Sequence, residues 1–316
     1  MNSTWEEFYA KHPQPPDLEQ NEKLLKDFVA KQLEKDNKVV LVTVSRKDND
    51  PFGAQYKWLR RKRYLLSFYY RLKSLEPFSR HFVGQKFMDM LELNNENQKS
   101  VVTVLPEYAD KLAIILHRYK QALRDNKLLQ LTFTTLSEYL WLLRSACQAL
   151  VCLENKAILY LAAAVSDFYI PSNELSVHKM SSTDPPTISL HLVPKILAPL
   201  VSLWVPRAFV VSFKLETDEK LLISKARNAL NKYKHNLVIA NMLQTRKQQV
   251  TIVSQESNYE LSLTDDQMQK GEEIERLIID ILVERHRNFI HSTDKGIRAA
   301  TSFCSTAVCT ASFSIL

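Results

Sequence analysis

Three stretches of the chain run from apolar residues into side chains that can bind or react. AILYLAAAV at 157–165 opens into Ser166, Asp167, Phe168 and Tyr169; AFVVSF at 208–213 opens into Lys214 and Glu216; LVIA at 237–240 opens into Asn241. Each run has the composition of a buried strand, and open parallel sheets bind ligands beyond the carboxyl ends of their strands. The small Ala162, Ala163 and Ala164 would let a flat ring approach the backbone, while the Asp167 carboxylate can accept from a ribose hydroxyl or an amine, or hold a metal. Alanines in a strand are equally ordinary core, and an Asp after a strand is often a helix cap, so this run has two readings. Asn241 offers a donor and an acceptor to a base edge. Lys179 follows His178 on a loop, and Lys195 follows Pro194 where a helical segment begins. His178 has no second histidine or carboxylate at metal-ligand spacing, so no protein-built metal site is expected.

Glycine usage excludes several chemistries. The 316 residues contain 4 glycines (Gly53, Gly84, Gly271 and Gly296), none within twenty residues of another. The dinucleotide fingerprint, the Walker A loop and the kinase glycine-rich loop all need clustered glycines to close backbone N–H groups on phosphate, and all are excluded as written. The net charge of +7 is local: residues 44–63 carry seven basic side chains against Asp48 and Asp50, which leaves +2 elsewhere. A solvated basic loop explains Arg60 to Arg63 better than a nucleic-acid surface does. The four cysteines, Cys147, Cys152, Cys304 and Cys309, suit neither a disulfide scaffold nor a zinc ribbon and read as reduced thiols. With no long apolar run and no secretory leader, a cytoplasmic protein without a membrane segment is expected.

These residues must be positioned by a sheet. Apolar strand-like runs stand at 38–44, 64–70, 128–133, 157–165, 187–192, 208–213, 236–240, 249–254 and 258–263. Helical periodicity is found at 18–35, 78–93, 106–125, 136–150, 195–203, 217–235 and 265–290. The alternation predicts an α/β fold, Rossmann-like, with three αβα layers, a mostly parallel central sheet and an appended β-hairpin. One domain is expected over 1–295. The stretch 299–316 is uncharged and hydroxyl-rich, and residues 296–316 read as a disordered tail.

Taken together, LAAAVSDFY (161–169), HKM (178–180), VPKILAPL (193–200), SFKLETD (212–218) and VIANML (238–243) resemble the eukaryotic phosphopantothenate–cysteine ligases of coenzyme A biosynthesis. LTFTTL (131–136), RLKSLEPFSRHF (71–82), HPQPP (12–16) and KVVLVT (38–43) are similar as well. The resemblance implies that ATP, with Mg²⁺, activates the carboxylate of 4′-phosphopantothenate as an acyl-adenylate, which the cysteine amine then attacks. It implies that Ala163, Ala164 and Asp167 line the nucleotide, that Phe213 walls the base and Asn241 touches its edge, and that Lys195 meets phosphate. It also implies that Lys179, on a flexible loop, stabilises charge in the second step, and that the protein is a homodimer.

The resemblance fails in one place. A VTSGGT-type turn and an NFSSG-type loop are expected after the first strand, whereas the chain reads VTVSRKDNDPFG and then KWLRRKRYLLSFYYRLKS. The same stretch holds the surplus charge, so residues 44–67 read as the product of altered splicing, a reading-frame shift or a gene-model error. Losing those donors predicts an impaired ligase, since one oxyanion donor is worth ~10²–10³ in rate. The alternative is an inactive nucleotide-fold isoform that acts as a dimerisation or regulatory partner.

Overall fold

The run KVVLVTV leaves no side chain from Val39 to Thr43 more than 3% exposed, as expected of a strand covered on both faces. The computed structural model describes residues 4–44, 65–70, 90–96, 99–133, 135–163, 165, 167–171, 174 and 189–310. Helices α1 (Trp5–Lys11) and α2 (Leu18–Glu34) lead into that strand, β1 (Val39–Val44). There follow β2 (Leu65–Tyr70), β3 (Leu91–Glu96), β4 (Lys99–Val104), α3 (Pro106–Arg124), β5 (Leu128–Phe133), α4 (Leu136–Leu150), β6 (Ala157–Ala162), β7 (Phe168–Tyr169), β8 (His191–Leu192) and β9 (Phe209–Glu216). The chain continues through α5 (Glu219–Tyr233), β10 (Leu237–Met242), β11 (Gln249–Val253), β12 (Asn258–Ser262), α6 (Asp265–Gln269) and α7 (Ile274–Thr310).

Eight strands form one sheet in the order β12-β11-β10-β9-β6-β1-β2-β5. The six from β10 to β5 are parallel, and β11 and β12 add an antiparallel hairpin. Successive side chains of a strand point to opposite faces, and the core divides accordingly. Val39 and Leu41 pack with α1, α2 and α4 on one face, while Val40 and Val42 join Ile274, Ile278 and Leu282 of α7 on the other. This is the α/β architecture expected from the sequence.

Several elements differ in extent. The helix expected at 78–93 gives way at its described end to the β3–β4 hairpin, because Leu91 and Leu93 alternate with Glu92 and Asn94 at the period of a strand. Of the strand expected at 187–192, the described residues contain β8, which pairs with β7. Residues 195–203 form a short α-turn, Leu197–Pro199, that widens into a π-turn, Leu200–Trp204. Pro199 lacks the N–H that a longer α-helix would require there. The single helix expected at 265–290 is split at Gly271, whose φ of 65° is the left-handed conformation that ends α6. The backbone of α7 is helical through Thr310, where a disordered tail is expected from 296. That stretch holds no proline, and its alanines favour helix. The anomalous segment 44–67 lies outside the described residues except for its two ends, which belong to β1 and β2.

Candidate active site

After β1 the chain moves outward to β2 and β5, and it returns at β6 to the other side of β1 before stepping to β9 and β10. The carboxyl ends of β1 and β6 therefore flank the topological switch point, where open sheets of this kind leave a crevice. Thr43, fully buried at the end of β1, accepts a hydrogen bond from the Ala163 N–H at 3.4 Å across that point. Its hydroxyl also meets Tyr139 of α4, a phenol that burial pushes up to about 12 and that stays protonated.

A cavity of about 300 Å³ opens there. One wall is α4, through Leu136, Tyr139, Leu140 and Leu143; the facing wall is the segment Val193–Leu197; Ser212, Phe213 and Tyr233 also line it. The α4 wall is fixed by a capping box in which the Thr135 hydroxyl accepts from the Glu138 N–H and the Glu138 carboxylate accepts from the Thr135 N–H. At the rim, Lys195 donates to Asp167 at 2.7 Å, and the Val193 N–H donates to the Asp167 carbonyl. The two side chains of that ion pair are 55% and 72% exposed. Such a pair is worth no more than about 1 kcal/mol, so a ligand can separate it without a large cost.

The cavity thus brings together Ala163, Asp167, Lys195 and Phe213 from three separate motifs. The Phe213 ring also meets Tyr160 edge-on at 4.8 Å. Asn241 is not among the lining residues, yet its buried Oδ1 has no hydrogen-bond partner among the described residues, which leaves an acceptor for a ligand donor. Nearby on β9, the Glu216 carboxylate is held below its ordinary range by Lys225 and then Lys214, at 2.8 and 3.2 Å. Ala164 and Lys179 lie outside the described residues. Thr43, Tyr139, Ser212 and Tyr233 were missed by sequence reasoning. A hydroxyl closing a buried strand run was the available signal for Thr43 and Ser212. Nothing in the spacing marks the two tyrosines. Among the described residues no group of three His, Cys, Asp or Glu is placed to hold a metal, and no helix is long and apolar enough to cross a membrane.

The DNA/pantothenate metabolism flavoprotein C-terminal domain matches residues 143–283, which include β6, β9, β10 and most of the residues that line the cavity. The mouse phosphopantothenate–cysteine ligase is 44% identical over 230 residues, 72% of this chain and 74% of its own length. The human protein of that name is 36% identical over 304 residues, covering 89% and 96%. The chain belongs to the phosphopantothenate–cysteine ligase family. A solved structure of a Cab2 mutant in complex with phosphopantothenate-cysteine superposes with a TM-score of 0.78 at 31% identity, covering 92% of this chain and 99% of that one. Similarity to this ligase family therefore extends over the fold as a whole, well beyond the five motifs.

Proposed function

We propose that the chain joins 4′-phosphopantothenate to cysteine with ATP as the activating nucleotide. The observation that carries this reading is the meeting of Ala163, Asp167, Lys195 and Phe213 in one cavity at the switch point of a sheet shared with the Cab2 ligase. In the first step a carboxylate oxygen of the acid attacks the α-phosphorus of ATP. An acyl–oxygen–phosphorus bond forms, the α–β anhydride breaks and pyrophosphate leaves. In the second step the neutral cysteine amine attacks the acyl carbon, a C–N bond forms, and AMP departs with its oxygen while the amine loses a proton. The apolar α4 wall keeps water from the mixed anhydride. Lys195 is the phosphate partner once it leaves Asp167, and Lys179 the cation for the second step. Asp167 is the lining carboxylate that would hold a Mg²⁺ ion bound with ATP, and such an ion would supply neutralisation of phosphate charge.

The test is a product assay. The chain is mixed with ATP, Mg²⁺, 4′-phosphopantothenate and cysteine, and mass spectrometry follows phosphopantothenoylcysteine. Product that is lost on Lys179→Ala supports the reading. No product from this chain, but product once a glycine-rich turn and an asparagine loop replace residues 44–67, makes it a disabled ligase. No product from either chain defeats the proposal.

The reading includes a homodimer. Leu93 and Val102 stand directly opposite on β3 and β4 and are 65% and 62% exposed. A two-stranded ribbon is marginal alone, and a second copy would cover this apolar pair.

A further inference from the structure

The cavity carries a polar pair that the mechanism above does not use. Ser212 Oγ lies 2.7 Å from Nε2 of His235. His235 is 3% exposed, and its Nδ1 has no hydrogen-bond partner among the described residues. Burial pushes this imidazole down to about 4, so the ring is neutral near pH 7 and carries a single proton. Placed on Nδ1, the proton would be an orphaned N–H in the interior, the rarer kind of unpaired group. Placed on Nε2, it is donated to Ser212, and only a lone pair at Nδ1 goes unmatched. The Ser212 hydroxyl makes no other hydrogen bond with the described residues. With its oxygen accepting from His235, the hydroxyl of Ser212, a cavity-lining residue, keeps its proton to donate elsewhere than to the ring.

We propose that His235, as its Nε2–H tautomer, positions the Ser212 hydroxyl as a hydrogen-bond donor into the cavity, where it selects a ligand atom that accepts and carries no proton. The surrounding Leu140, Leu143, Leu161 and Leu200 suit an uncharged part of the ligand and repel a triphosphate. A heteroaromatic ring nitrogen and an amide carbonyl share the required chemistry. The inference rests on the ligase reading, which supplies one source of each: the adenine of ATP and the amide of 4′-phosphopantothenate. His235 is a positioning residue and Ser212 a specificity-determining one.

Calorimetric titration of ATP and of 4′-phosphopantothenate against the wild-type and Ser212→Ala chains separates the two sources. Affinity for one ligand falls by about 5- to 10-fold, the usual worth of one hydrogen bond, and affinity for the other is unchanged. The ligand that weakens names the source. Nitrogen-15 NMR of the histidine rings reads the tautomer directly, with Nε2 protonated and Nδ1 bare in His235, a signature that packing alone does not set. Both affinities within about 2-fold of wild type, or a proton on Nδ1, overturns the inference while leaving the ligase reading intact. A wild-type chain that binds neither ligand overturns the ligase reading and this inference together.

Discussion

Burial pushes His235 and His286 down to about 4, and this has a consequence for stability. Both rings are nearly enclosed, and His286 Nε2 is 2.7 Å from the Asn155 carbonyl. Between pH 6.5 and about 4 the unfolded chain binds protons that the native chain refuses. Stability is therefore complete above 6.5 and falls as the pH is lowered toward 4, by up to about 1.4 kcal/mol per pH unit for each ring. Urea denaturation at pH 7 and pH 5 should show the drop, and His286→Gln should remove about half of it. An unchanged slope in that variant would mean that His286 is not a neutral buried ring.

Two capping boxes offer a comparison between elements. Thr135 opens α4, whose Leu136 and Tyr139 line the cavity, while Thr264 opens α6, none of whose residues do. Replacing either threonine by Ala should cost about 1 kcal/mol of stability. Only Thr135→Ala should also weaken ATP binding, because it frees the wall on which the ligand rests. Equal affinities in the two variants would separate the α4 start from the site. The same elements show how far the sequence could be read. The T-x-x-E spacing of Thr135 and Glu138 and the unbroken KVVLVTV run are local signals, and both elements form where local chemistry puts them. The β7–β8 ribbon is set by Phe168 meeting Leu192 and Tyr169 meeting His191, a pairing of distant segments that no window of sequence contains. Four of the candidate residues proved to be neighbours because two of their motifs lie at adjacent strands, β6 and β9, of one sheet and the third is tied to the first by the Lys195–Asp167 pair. The Ser212–His235 bond escaped for the opposite reason: it joins a strand to the turn before the next one, with no shared periodicity.

At the scale of the whole molecule, the exposed Leu93–Val102 pair makes assembly testable. Leu93→Lys should convert a dimer to a monomer in sedimentation velocity with little change in the monomer's stability, since both side chains are solvent-facing. A wild-type monomer at micromolar concentration, or a dimer that survives the charge, would remove the hairpin from the interface.

The strand order also governs how this chain is made. Val39 must pair with Ala157, so one flank of β1 has no partner until some 118 further residues have left the ribosome. At about 5–20 residues per second, that is a wait of roughly 6–24 s. Throughout it a flat, aliphatic, uncharged segment stands with an open edge, the kind that seeds aggregation. Nascent chains stalled before β6 emerges should therefore be cleaved within residues 38–44 by a protease, and those stalled well after it should resist. Synthesis slowed between the two strands would lower soluble yield without altering a single contact of the finished protein.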